Sequence, residues 1–320
     1  MNSSGDALNN AYKSFWLGLS RSERAKNALM MLPAAKRVKS RFIAGDTIDD
    51  AARIVGNFNG MQNKPRISGV MDFVGESVTS RDEAGRACET YCDILDAIKE
   101  KCLYSSIAVK PSQIGMDIDQ EFCRKNLEIL ADHARLCDSR IEIDAEEDAK
   151  AGLTLEMYLD LLSQNYDPVI ALQSTRRKSL DEARILGERG ARVRLVKSAY
   201  REKPCVAYQT KEEVDANYRK IMAVLSERMG HNGGRLILGT HDEKMLQEMQ
   251  SMVDKGEIDS SLVEIDMLLG IRNDRLLNLA RQGYQTGVYV PFGSQWWAYT
   301  CRRIGERPAN MMFVAKSLIC

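Results

Sequence analysis

The sequence predicts an α/β protein: a (β/α)8 barrel over residues 65–320, preceded by a helical segment over 1–64. Three observations lead there. Eight short runs rich in β-branched residues follow one another after residue 65, and stretches with helical periodicity separate them. Their starts are spaced as βαβ units of about 30 residues are. Most of the runs are continuously apolar rather than alternating, as strands covered on both faces must be. A barrel of this kind typically takes about 250 residues, which matches the stretch after residue 65. The alternative is an open doubly wound sheet. That fold usually shows a Gly-rich first turn, and neither G-x-G-x-x-G nor a P-loop is present.

Taken in order, the first sixty-odd residues read as helix with no strand pattern. Trp16, Leu17 and Leu19 lead into a charged turn, and the apolar run Leu29, Met30, Met31, Leu32 is stopped by Pro33. Thr47 reads as an N-cap, with Asp50 as a weaker capping-box partner. Strands are expected at 67–74, 106–109, 140–143, 168–172, 192–196, 235–238, 262–267 and 287–290. Helices are expected at 79–101, 119–137, 153–163, 179–188, 211–229, 243–253, 273–280 and from about 295.

Composition removes several function classes. The 320 residues are 44% hydrophobic and 28% charged, a globular balance with enough chain to bury a full core. Lys+Arg and Asp+Glu are 45 each, so no basic field exists to bind nucleic acid by counterion release. No run of eighteen apolar residues is present to span a bilayer. The start, MNSSGDALNNAYKSFWLGL, lacks a basic region followed by an apolar one, so a secretory leader is not expected. The eight cysteines are irregularly spaced and read as reduced thiols of a cytoplasmic protein. Cys88 and Cys92 lie one helical turn apart, but no sequence neighbour completes a metal set, and no metal is expected.

In a barrel the chemistry lies at the C-terminal ends of the strands. There the second strand delivers Lys110, the third Asp144, the fourth Gln173, and the sixth Thr240, His241 and Asp242. The fifth carries Arg194 and Lys197 in an otherwise apolar run, the seventh carries Glu264 and Asp266, and the eighth ends near Tyr289. Each alone has an ordinary explanation, such as an N-cap or a strand flank. Together they make one polar rim. Lys110 and Asp144 would offset each other's desolvation. Arg194 and Lys197 look like partners of an anionic or electron-rich group.

The last helix adds a sharper pattern. In WWAYTCRRIGE, Tyr299, Arg302, Arg303 and Glu306 fall at i, i+3, i+4 and i+7 on one face, with Trp296 on the same stripe. Two adjacent arginines can grip a carboxylate bidentately, and Glu306 could hold one of them. The competing explanation is a solvated, salt-bridged helix face.

These residues lie in ordered blocks: MDFVGESV, IAVKPSQIG, IDAEE, RLVKSAY (194–200), GTHDEKML (239–246) and YVPFGSQWWAYTCRRIGERPANMMFVAKSL (289–318). From about Met71 to the C-terminus the chain resembles the flavin-dependent proline dehydrogenase family in its monofunctional bacterial form. That resemblance implies a distorted (β/α)8 TIM-type barrel with the last helix over its mouth. It also implies oxidation of L-proline to Δ1-pyrroline-5-carboxylate, with FAD taking the electrons and membrane quinone reoxidising it.

Carried over by motif, Arg302, Arg303 and Lys110 would hold the substrate carboxylate. Tyr289, Tyr299 and Leu268 would enclose its ring, and Glu306 would pair with an arginine of the fork. Asp144 would pair with Lys110, and Arg194 would stabilise charge on the reduced flavin. Ala145, Gln173, Val196, Lys197, Ser198 and Ala199 would line the flavin, with Thr240 and His241 toward the FAD tail. Localisation would be cytoplasmic, with peripheral contact at the inner face of the membrane. The chain departs from the pattern at Ser198, Asp266, Leu269 and Phe292, where the family commonly has Gly, Gln, Tyr and Tyr. Those departures leave oxidation of a related cyclic amino acid in a biosynthetic role as an alternative. A flavin-free barrel lyase using Lys197 as Schiff-base nucleophile is another.

Overall fold

A computed structural model describes residues 15–16, 18–20, 22–62, 65–75, 78–198, 200 and 202–306, without the side chains of 23 and 302–306. Eight parallel strands close into a barrel in sequence order: β1 (Ser68–Phe73), β2 (Ser105–Val109), β3 (Ile141–Ile143), β4 (Val169–Gln173), β5 (Arg192–Val196), β6 (Arg235–Gly239), β7 (Val263–Leu268) and β8 (Gln285–Phe292). Closure is made by β1 and β8, paired in register from Ser68 with Gly287 to Phe73 with Phe292. All eight predicted strands are present, and the predicted barrel stands.

Helices α1 (Glu23–Met30), α2 (Pro33–Phe42) and α3 (Ile48–Asn59) precede the barrel. Pro33 does more than stop a helix, because it is the first residue of α2, where its missing N–H costs nothing. The Thr47–Asp50 capping box forms in full and starts α3. Ala51, Val55 and Phe58 of α3 join the main core. The fit against β1 is close: a Cβ on Gly69 would come within 2.6 Å of Val55 Cγ1.

Around the barrel run α4 (Arg81–Glu100), α5 (Gln120–Leu136), α6 (Asp148–Ser163), α7 (Ser179–Glu188), α8 (Lys211–Asn232), α9 (Glu243–Asp254) and α10 (Asn273–Arg281); α11 (Trp296–Glu306) follows β8. Helix α6 starts five residues before the periodicity showed it, in the weakly apolar DAKAG turn, where the Asp148 N–H donates to Glu202 at 2.9 Å. Strand β8 also runs past its apolar core, because the Pro291 carbonyl accepts from Ala44 and the Phe292 carbonyl from Val74, both at 2.9 Å.

The main core joins strand side chains to the inner faces of the helices. Its buried tyrosines satisfy their hydroxyls: Tyr91 donates to Gln113 Oε1 at 2.8 Å and Tyr218 to the Leu195 carbonyl at 3.1 Å. A second cluster of Ile43, Val74, Trp296, Trp297 and Cys301 sits beside Trp16, Leu19 and Tyr299. There Trp297 Nε1 donates to the Leu19 carbonyl at 3.1 Å, and Lys39 lies 4.8 Å over the Trp296 ring. Helix α11 is thus fastened to the N-terminal helices.

Candidate active site

At the C-terminal mouth a buried charge network crosses the barrel from β1 to β8. Asp72 sits inside apolar β1 at 1% exposure. Lys110, directly after β2, forms ion pairs with Asp72 and with Asp144 Oδ2, the latter at 3.3 Å. Asp144 follows β3, and its amide is fixed by the Val109 carbonyl at 2.9 Å. Its Oδ1 accepts from Arg194 Nη2, and its Oδ2 accepts from Tyr289 Oη at 2.9 Å. Arg194, near the centre of β5, donates its other amine to Glu142 Oε2 at 2.6 Å and lies 5.0 Å over the Tyr289 ring.

The charges hold one another in place. Burial opposes the Lys110 ammonium, but Asp72 and Asp144 outweigh burial and raise its pKa. Arg194 is likewise opposed by burial and held charged by Glu142 and Asp144. Burial, then Asp144 and Asp72, push the Tyr289 phenol well above its ordinary value, so it stays a donor. One layer away, burial, then Glu264 and Glu142, raise Asp266 well above the carboxylate range. Its Oδ1 has no hydrogen-bond partner. Burial also raises Glu142, with Arg194 opposing.

The structure brings Lys110, Asp144, Arg194 and Tyr289 together. Tyr299 on α11 also lies close enough to Tyr289 to add to the rise of its phenol. Leu268 ends β7, half-buried, and its amide donates to His241 Nε2 at 2.9 Å. Burial, then Arg272, lower the His241 imidazole to about 4, so it is neutral, and this bond places its proton on Nδ1. Thr240 is buried, and its Oγ1 accepts from the Asp242 amide at 3.1 Å. Ala145, Val196 and Ser198 lie half-buried at the ends of β3 and β5. Ser198 adopts φ 125°, a region that favours glycine. Ala199 lies outside the described residues, as do the side chains of Arg302, Arg303 and Glu306, whose backbone continues α11.

Lys197 stands apart. The sequence placed it with Arg194 as a partner of an anionic group. Instead its amine pairs with Asp215 on α8 and, at 2.6 Å, with Asp242, the N-cap of α9. It is a brace between helix starts, its amine held by two carboxylates. Two members of the network were missed from sequence, Asp72 and Glu142. Their signal was the one that marked Arg194, a charge inside an otherwise apolar strand.

Next to this network, the end of β4 carries a set of unsatisfied polar atoms. Gln173 Nε2 donates to the Glu146 carbonyl at 3.1 Å, while Gln173 Oε1, Ser174 Oγ and Thr175 Oγ1 are buried without a partner. The Ser174 and Thr175 amides are tied to the Val196 and Lys197 carbonyls at 2.8 and 3.1 Å, so this edge is rigid. Three orphaned buried groups side by side are expensive unless a ligand supplies their bonds.

Fold and site together define a barrel enzyme with a preorganised polar mouth. Comparison with known proteins gives the family. The proline dehydrogenase family model matches residues 59–316. The chain is 31% identical over 281 residues to proline dehydrogenase 1 of Bacillus subtilis strain 168, covering 87% of this chain and 90% of that protein. It is 28% identical over 284 residues to the proline dehydrogenase of Deinococcus radiodurans, covering 87% and 89%. The crystal structure of proline utilization A from Bdellovibrio bacteriovorus, inactivated by N-propargylglycine, superposes with a TM-score of 0.79 at 20% identity. That match covers 92% of this chain and 36% of the Bdellovibrio protein, so the chain spans about a third of its length and shares its fold. The chain belongs to the proline dehydrogenase family, whose members are oxidoreductases.

Proposed function

We propose that this protein oxidises L-proline to Δ1-pyrroline-5-carboxylate with FAD bound at the barrel mouth. The observation that carries the reading is the Lys110–Asp144–Arg194–Tyr289 constellation, preorganised where a barrel keeps its chemistry. When bound, FAD supplies the acceptor for the hydride that leaves the ring carbon next to nitrogen. The residues fit a flavin: Gln173, with the unpartnered hydroxyls of Ser174 and Thr175, offers buried polar atoms that need partners. Ala145, Val196, Ser198 and Ala199 would line it, with the Lys197 backbone; Thr240 and the neutral His241, through Nδ1–H, would meet its tail.

In this reading Arg302 and Arg303 grip the substrate carboxylate with help from Lys110, and Glu306 orients the fork. Tyr289, Tyr299 and Leu268 surround the apolar ring and exclude water. Asp144 positions Lys110, Arg194 and Tyr289. Arg194 would stand beside the bound flavin and offer it positive charge. The substrate nitrogen must give up its proton so that its lone pair can form the C=N bond as hydride departs. A dry mouth favours that neutral amine.

Leu269 and Phe292 are both buried in the main core, which supports L-proline over a modified cyclic amino acid. Reoxidation by a membrane quinone fits a protein that meets the membrane peripherally, at its inner face. Among the described residues no helix is long and apolar enough to cross a bilayer. The test is steady-state: purified protein should retain FAD and reduce a soluble quinone in the presence of L-proline. Protein that binds no FAD on reconstitution, or that turns over another cyclic amino acid better, contradicts the proposal.

A further inference from the structure

On the helices that surround the barrel, α4 and α5 bring together groups that the sequence keeps apart. Cys92 and Asp96 are one turn apart on α4, and His133 lies one turn before Cys137, the C-cap of α5. The ligand atoms of Asp96, His133 and Cys137 all lie within 4.8 Å of one another. His133 Nε2 is 2.8 Å from Asp96 Oδ1, and Cys137 Sγ is 3.9 Å from the same oxygen. Cys92, half-buried one turn before Asp96, lies outside that set. Cys88, one turn further back, contacts Cys92.

We propose that Asp96, His133 and Cys137 form a three-ligand site, with water in the fourth position, for a divalent metal ion of the Zn2+ class that ties α4 to α5. A thiolate–imidazole–carboxylate set selects zinc-like ions over Mg2+ or Ca2+, which take oxygen ligands. With Zn–S near about 2.3 Å and Zn–N or Zn–O near about 2.0–2.1 Å, tetrahedral ligands stand roughly 3.3–3.6 Å apart. The observed separations straddle that range, so Asp96 and His133 need to part only slightly. The side chains of Asp96 and His133 are 54% and 29% exposed, which gives the ion a way in, while Cys137 is buried behind them. Binding would displace the Cys137 thiol proton. Helix α4 follows β1 and α5 follows the loop after β2, the strand ends that deliver Asp72 and Lys110. The metal would brace two neighbouring helices on the outside of the barrel.

The test uses the full-length, flavin-loaded protein with thiols reduced. It is incubated with one equivalent of ZnSO4, desalted and analysed for retained zinc, then examined by zinc-edge X-ray absorption. The expected result is one ion per chain with sulfur at about 2.3 Å, and a raised melting temperature. His133→Ala, a surface change that leaves the core intact, and Cys137→Ser should each weaken retention at least about tenfold and abolish the thermal shift. No retained zinc, a first shell without sulfur, or undiminished binding in His133→Ala overturns the proposal. The last outcome would assign the metal to other thiols, such as exposed Cys102 and Cys205.

Discussion

Tyr289 donates its hydroxyl to Asp144 Oδ2 over 2.9 Å, joining the last strand of the barrel to the end of the third. The same carboxylate takes Lys110 at 3.3 Å on that oxygen and Arg194 on the other. Asp144 is therefore a hub that sets two cations and a phenol at once, and it lies on the loop side of the barrel where ligands enter.

Removing the hub should cost more than removing a spoke. Asp144→Asn leaves Lys110 and Arg194 short of a counter-charge, which typically destabilises by about 3–5 kcal/mol for a buried pair. Tyr289→Phe keeps the ring under Arg194 and removes only a hydrogen bond to a charged group, worth about 1.5–3 kcal/mol. Denaturant unfolding should rank Asp144→Asn as the less stable. Proline turnover in Tyr289→Phe should fall about 10- to 100-fold without loss of fold. Equal stability for the two variants would refute the hub.

Ser198 pays for its place in the mouth with backbone strain. At φ 125° a side chain is disfavoured, and such positions cost of the order of 1–3 kcal/mol. Against this, Ser198 Oγ accepts from the Tyr200 amide at 3.0 Å. Ser198→Gly should raise the unfolding free energy by about 1 kcal/mol, read from the midpoint of a urea curve. A lower midpoint would mean that the side-chain bond outweighs the strain.

Asp266 carries a pH signature. Its folded pKa is raised by burial, then by Glu264 and Glu142, so the folded state holds a proton that the unfolded state releases near 3.8. The favourable contribution is complete below that unfolded value and is lost as pH rises through the folded one. Asp266→Asn removes this loss. The variant should gain stability over the parent as pH rises, by the order of 1–3 kcal/mol for an uncompensated buried group. A stability difference that stays flat with pH would show that Asp266 is not held neutral.

His241 acts in the opposite sense. Its imidazole is lowered from 6.5 to about 4 by burial and then by Arg272. Its contribution is present above 6.5 and is lost as pH falls through about 4. His241→Asn should flatten the acid limb of stability between those values by about 1–3 kcal/mol. Thermal melts across that window would check it, and an unchanged slope would contradict the neutral Nδ1–H form.

Much of this molecule was legible in order along the chain. Strand β5 matched its apolar run to the residue, and Thr47 with Asp50 announced α3, because periodicity and caps are local signals. Lys110, Asp144 and Arg194 could be placed on one rim once the barrel was recognised. What local pattern could not supply was pairing. Lys197 lies three residues from Arg194 yet turns to Asp215 and Asp242, partners fixed only by where α8 and α9 begin. Asp72 stayed hidden because one acid in an apolar strand gains meaning only when Lys110 from the next strand reaches it. The α4–α5 cysteine, histidine and aspartate group was invisible for the same reason.

The central claim is that proline gives its electrons to a flavin held by this barrel mouth. Mixing flavin-loaded protein with L-proline in the absence of oxygen, under single-turnover conditions, tests it most directly. The oxidised flavin absorbance should bleach, faster as pH rises and the substrate amine becomes neutral, and Arg194→Met should slow the bleaching sharply while retaining flavin. A flavin that stays oxidised in excess L-proline would contradict the account.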